Sequence, residues 1–173
     1  IRKRHNKADI KSAKIIGHGA LKYGIIKVSP EKSVMFSWEQ ALNFEGDTSP
    51  YIQYAYARIQ SILKKYKQKN NQQKNFPKEI FFEKLNNPEE NELVKLLSEF
   101  PDIVEKTAKE LRPHLIANYT YTLAQKFNEY YHKHQILKSE GDVKEARVAL
   151  INSVAQVIEN GLGLLGIEVL KKM

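Results

Sequence analysis

Phe44-Glu45-Gly46-Asp47-Thr48-Ser49-Pro50-Tyr51-Ile52-Gln53-Tyr54-Ala55-Tyr56-Ala57-Arg58-Ile59-Gln60-Ser61-Ile62-Leu63 joins a glycine-containing loop to a run with helical periodicity. Thr48 or Ser49 ahead of Pro50 makes a good helix start, because a hydroxyl satisfies an orphan N–H and proline's fixed φ suits the first turn. At about 100° per residue, Ile52, Ala55, Ile59, Ile62, Leu63 and Tyr66 cover one apolar face. Tyr51, Tyr54, Arg58 and Lys65 line its edge. Flat rings beside fixed cations suit the stacking of unpaired nucleobases. The same pattern also describes tyrosines that border a helical core, and the residues by themselves leave both readings open.

Working outward, helical signals dominate. Upstream, Ala13, Ile16, Ala20 and Tyr23 share one side of a predicted helix from about Ile10 to Tyr23. The short apolar runs Ile25–Val28 and Val34–Phe36 flank the turn-like Ser29-Pro30-Glu31-Lys32 and predict a small hairpin or two extended segments. Downstream, the polar stretch from Lys67 to Lys78 reads as a loop. Asn87-Pro88-Glu89-Glu90 then supplies an N-cap, a first-turn proline and carboxylates that suit the helix dipole, followed by Leu93, Leu96, Leu97 and Phe100 at helical spacing. Pro101 is expected to start a separate helix with Ile103, Val104, Thr107, Ala108 and Leu111 inward. Another is predicted from about Pro113 to Leu137, and a last one after Gly141 with Asp142 as N-cap, loosening through Gly161, Gly163 and Gly166. The fold class is therefore mainly α, a helical bundle over 46–173, preceded by a helix-plus-hairpin connector over 1–45.

A chain of 173 residues with 42% hydrophobic content can bury one sizeable core. The 28 Lys and Arg against 20 Asp and Glu give a formal charge of +8, which favours a polyanionic partner. From Ala55 to Lys78 the basic residues at 58, 64, 65, 67, 69, 74 and 78 meet no acidic one, as in a binding surface or a solvated helix end leading into a loop. With no cysteine, the chain has no disulfide scaffold, thiol nucleophile or thiolate metal site. No apolar run approaches the ~20 residues of a membrane span, and the expectation is a soluble, cytoplasmic protein that binds no membrane. Because the chain opens at Ile1 within a charged string, it reads as a piece of something longer.

Catalytic patterns are sparse. His5, His18, His114, His132 and His134 lack metal-site spacing and carboxylate company, so no metal is expected, and His132 and His134 would point to different sides of a helix. No nucleophile elbow is present. Gly161-Leu162-Gly163-Leu164-Leu165-Gly166 lacks the Lys-Ser/Thr ending of a phosphate loop and follows a helix, as a helix terminus would.

Several blocks carry a resemblance. They are Ile16-Gly17-His18-Gly19-Ala20-Leu21-Lys22-Tyr23; Phe36 through Ile59; Asn118-Tyr119, Leu123-Ala124, Phe127-Asn128 and Tyr130-Tyr131-His132; Arg147-Val148-Ala149-Leu150; and Asn160-Gly161-Leu162 with Leu164-Leu165-Gly166-Ile167 before a final Met173. Together they resemble the carboxy-terminal part of class I arginyl-tRNA synthetases, with its helical, DALR-type anticodon-binding domain. The resemblance covers nearly all of the chain, although His18 departs from the apolar residue usual there. It implies that an upstream domain activates arginine with ATP and magnesium, while this part grips the anticodon arm of arginine tRNA. This part itself would then be non-catalytic, bind no cofactor and act as a monomer. Neither the His-Ile-Gly-His nor the Lys-Met-Ser-Lys-Ser type motif of class I enzymes is present.

By the same resemblance, Tyr51, Tyr54, Arg58 and Tyr131 match positions that contact the anticodon loop. Gln135 and Met173 are further candidates, Met173 through its carboxylate. Splayed bases need faces to stack on, worth about 1–3 kcal/mol each, and phosphates need cations. Two other classes stay open beside this reading. One is a catalytically silent helical tRNA-binding or scaffold module; the other is a basic helical protein that binds any RNA alike.

Overall fold

The computed structural model describes residues 9–69 and 80–173, with the side chain of residue 69 left aside. Among the described residues six α-helices follow in order: α1 (Ile10–Ile26), α2 (Trp38–Ala41), α3 (Ser49–Lys69), α4 (Pro88–Glu110), α5 (His114–Lys133) and α6 (Gly141–Leu164). Single 3₁₀ turns at Phe82–Lys84 and Ile136–Lys138 precede α4 and α6. Helix α3 runs through the middle of the bundle, against α1, α5 and α6, and α4 packs on α5 and α6.

All six residues assigned to the apolar face of α3 are buried, together with Tyr56. They meet Leu93 from α4, Ile116, Leu123, Phe127 and Tyr130 from α5, and Leu150, Ile151, Val154 and Ile158 from α6 in one hydrophobic cluster that also takes in Tyr23 from α1. At roughly 1.5–3 kcal/mol per fully buried large apolar side chain, this face is what holds α3 in place. Its start follows the predicted chemistry: Tyr51 N–H donates to the Thr48 hydroxyl at 3.3 Å, with Ser49 and Pro50 in the first turn.

Five expectations require correction. Among the described residues there is no strand, so the hairpin around Ser29-Pro30 is absent. Instead α1 continues to Ile26 because Tyr23 anchors its last turn in the core, and the returning chain packs the Phe36 ring against Gly24 without pairing backbone to backbone. Pro101 starts no new helix; it lies within α4 at an exposed position, where its missing N–H faces water, while Leu96, Leu97, Phe100 and Ile103 keep one packed face on both sides of it. Helix α5 stops at Lys133, four residues earlier than expected, since His134 turns extended and its N–H caps the Tyr130 carbonyl at 2.9 Å. Glu140 and not Asp142 caps α6, which passes through Gly161 and Gly163 before the left-handed stop at Gly166, φ +66°. The stretch read as a loop is helical through residue 69, and positions 70–78 lie outside the described residues.

Three polar ties fix the ends of these helices. Glu90, 0% exposed, accepts from Asn87 N–H at 3.1 Å and Asn87 Nδ2 at 2.9 Å, closing the start of α4. Its second oxygen accepts from Arg147 Nε of α6 at 2.7 Å and the Tyr130 hydroxyl of α5 at 3.3 Å. Next to it Glu89 pairs with Lys133 at 2.6 Å and with His134 at 3.1 Å, clasping the end of α5 to the start of α4. At the other end of the bundle, the chain after α6 lies on α1 and α3: Gln53 Nε2 donates to the Glu168 carbonyl at 2.7 Å and Lys22 Nζ to the Gly166 carbonyl.

Candidate nucleic-acid interface

Because Tyr54 and Arg58 stand four residues apart on α3, their side chains meet on one face. On α5, Asn128 and Tyr131 stand three apart, one step round from the buried Phe127 and Tyr130. The packing of α3 on α5 brings the two pairs together. The Arg58 guanidinium carbon lies 4.8 Å from the Tyr54 ring centre and 4.9 Å from the Tyr131 ring centre, within cation–π range of both. Arg58 Nη1 donates to Asn128 Oδ1 at 2.6 Å. The rings remain open to solvent, Tyr54 being 42% and Tyr131 38% exposed.

Each ring is also braced from beside. Phe127 lies 6.1 Å from Tyr131, and the His132 ring stands edge-on to it at 5.9 Å. Phe44 meets Tyr54 edge-on at 6.5 Å. Phe44 belongs to the loop before α3, which turns at Gly46 with φ +88°, a conformation glycine adopts without a Cβ clash. That loop is held from α1, since the Tyr23 hydroxyl donates to Asp47 Oδ1 at 2.6 Å and Lys27 Nζ donates to the Asp47 carbonyl at 2.6 Å. Burial, reinforced by the Asp47 carboxylate, pushes the Tyr23 hydroxyl far above the ordinary tyrosine range, so it stays a donor.

Of the other predicted site residues, Tyr51 is half-buried one turn before Tyr54 and packs on Tyr121 at 5.6 Å, next to the stack and not in it. Gln135 is exposed in the turn after α5, where its carbonyl accepts from Lys138 N–H at 3.2 Å. Met173 is half-buried at the far end of the segment that lies on α1 and α3. Sequence reasoning assigned no role to Asn128. The signal was present: an amide flanked on α5 by Ala124, Phe127 and Tyr130 belongs to a packed face, and a buried amide needs a partner. Lys64, Lys65 and Lys67 are exposed on the later turns of α3 and extend the positive charge along the same helix.

Among the described residues no three His, Cys, Asp or Glu are grouped to hold a metal ion, and no helix is long and apolar enough to cross a membrane. What the geometry offers is two exposed rings, a cation fixed between them and a rigid helical support, which is a surface for stacking and charge complementarity.

The chain is 46% identical over 160 residues to the arginine–tRNA ligase of Thermococcus sibiricus, covering 91% of this chain and 25% of that protein. It is 45% identical over 161 residues to the arginine–tRNA ligase of Pyrococcus abyssi, covering 93% of this chain and again 25% of the relative, so it spans about a quarter of the length of the curated relatives it matches. Among solved structures, the Thermus thermophilus arginyl-tRNA synthetase superposes over 99% of this chain and 29% of its own with a TM-score of 0.85 at 31% identity. The Plasmodium falciparum arginyl-tRNA synthetase does so over 96% of this chain and 29% of its own, with a TM-score of 0.77 at 25% identity. Residues 52–173, from the first buried turn of α3 to Met173, match the family described as the DALR anticodon binding domain, and the chain belongs to that family.

Proposed function

We propose that this chain binds the anticodon arm of arginine tRNA and serves as the tRNA-gripping part of an arginine–tRNA ligase. Residues 46–173 form the binding bundle, and 1–45 connect it to a catalytic domain that attaches arginine using ATP and magnesium. The chain itself performs no chemistry, and it works as a monomer in the cytoplasm. The observation that carries this reading is the solvent-open Tyr54–Arg58–Tyr131 stack on a bundle whose family is named for anticodon binding. Splayed anticodon bases stack on the two rings, with Tyr51, Gln135 and Met173 as flanking contacts.

Competition at one fixed salt concentration tests it, between arginine tRNA and the same tRNA with its central anticodon base replaced. The cognate tRNA is expected to displace the altered one by roughly five- to 150-fold, the worth of the edge hydrogen bonds to one read base, since the replacement base still offers a face to stack. Equal competition would refute anticodon reading and leave a basic helical protein that holds any RNA alike.

A further inference from the structure

An arginine in an RNA-binding surface is ordinarily assigned to a phosphate, but the Arg58 guanidinium is already engaged on three sides. Tyr54 lies 4.8 Å away, Tyr131 4.9 Å away, and Nη1 is bonded to Asn128 Oδ1 at 2.6 Å. Asn128 is 8% exposed, so its amide needs partners inside the protein. Because a guanidinium only donates, chemistry dictates that the amide turns its oxygen to Arg58. Tyr54 and Arg58 share α3 while Asn128 and Tyr131 share α5, so this one bond joins the two helices that carry the rings.

We propose that Asn128 is the positioning residue of the stack: it holds the Arg58 guanidinium between Tyr54 and Tyr131, and Arg58 serves the RNA as a rigid spacer that orients two stacking faces, not as a phosphate clamp. This rests on the anticodon reading above and adds to it a division of labour. Phosphate attraction falls to lysines such as Lys64, Lys65 and Lys67, whose side chains are exposed on the same helix. A lysine at position 58 would keep the charge and lose the planar fork, so it would not replace the spacer.

The test titrates an arginine tRNA anticodon stem-loop with this chain over a salt series, with urea midpoints confirming that each variant is folded. Arg58→Lys and Asn128→Leu are each expected to weaken binding roughly tenfold, as for a lost stacking contact, with the slope of log affinity on log salt unchanged. The double variant should bind no more weakly than Arg58→Lys alone, because both changes remove the same unit. Asn128→Asp, which keeps an acceptor for Nη1, should recover most of the loss when affinities are extrapolated to high salt. Wild-type affinity in Arg58→Lys overturns the proposal, as does a slope lowered by about 0.7 in Arg58→Ala, since either assigns Arg58 to a phosphate. Wild-type affinity in folded Asn128→Leu also overturns it. If the unaltered chain fails to bind the stem-loop, the anticodon reading itself falls and this inference with it, a result distinct from any variant effect.

Discussion

Replacing Arg147 by methionine keeps the length of the stem and removes the cation that faces Glu90. Glu90 is 0% exposed, Arg147's side chain is 14% exposed, and Nε lies 2.7 Å from the carboxylate. Burial alone pushes the Glu90 carboxyl up, but Asn87's two donors and the Arg147 guanidinium outweigh it and hold the group below the usual carboxylate range. Removing one member of a buried ion pair typically costs 3–5 kcal/mol, because the other is left as an uncompensated charge. Here Asn87, the Tyr130 hydroxyl and the start of α4 remain, the last worth about 0.3–1 kcal/mol, so the expected loss is about 3 kcal/mol. With a urea m-value of about 2 kcal/mol/M, the midpoint at pH 7 should fall by ~1.5 M.

The sign with pH follows from the depressed carboxyl. Its contribution is complete above the unfolded-state value of 4.5 and is lost as pH falls through the lower folded-state value. Acidification below about 4.5 should therefore erode the stability of the unaltered chain and relieve the variant, narrowing the gap between them. The double change Glu90→Gln with Arg147→Met should be less destabilising than the sum of the singles by at least about 1 kcal/mol. A midpoint shift under 0.3 M at pH 7, or a gap that is the same at pH 7 and pH 4, would refute the view that Arg147 is the counter-ion of a core carboxylate.

Three further outcomes follow from local geometry. A Cβ on Gly161 would stand 2.6 Å from the Thr120 hydroxyl oxygen, itself bonded to the Ile116 carbonyl at 2.7 Å. Gly161→Ala should lose about 1 kcal/mol net, the overpacking outweighing the gain in helix propensity, and Thr120→Ala should restore much of it. At Gly17 inside α1 a Cβ meets nothing within 4 Å, so Gly17→Ala should gain up to about 1 kcal/mol; thermal unfolding showing the same sign at both glycines would contradict this packing. Glu89, held down to about 2 chiefly by its hydrogen bond from Lys133 and then by its own backbone and His134, should titrate higher in Lys133→Ala. Carboxyl NMR reads this directly: the α4–α5 clasp is full above pH 4.5 and loosens toward pH 2 in the unaltered chain, and an unmoved titration in the variant removes Lys133 as the cause.

Local spacing carried much of the architecture. Ile52, Ala55, Ile59, Ile62, Leu63 and Tyr66 are buried because a face repeated over four turns has only one way to pack, and Asn87-Pro88 opens α4 because its chemistry is confined to one turn. Pro101 misled because a helix boundary is a competition, and apolar residues on both sides of an exposed proline outweigh one missing N–H. The hairpin misled because runs of three or four apolar residues fit a helix end as well as a strand. The stack itself was only half legible. Tyr54 with Arg58 is readable as a one-helix spacing, but the bond from Arg58 to Asn128 spans 70 residues and depends on a cross-helix register that no single helix encodes.

That register links the core to the interface. Tyr130 and Tyr131 are neighbours on α5, about 100° apart round the helix: Tyr130 is buried with its hydroxyl on Glu90, and Tyr131 is exposed beside Arg58. Rotating α5 enough to move the Tyr131 ring off the guanidinium would pull Tyr130 from Glu90 and break the grip of His134 and Lys133 on Glu89. Glu89 and Glu90 are in turn fixed by the first turn of α4, and Glu90 by Arg147 of α6. The rotation of α5 that presents the exposed ring is thus held in part by the ion pairs on its neighbouring face. A stacking platform needs such rigidity, because a ring free to turn would have to be ordered at each binding event, at a cost of about 0.5–1.5 kcal/mol per side chain immobilised.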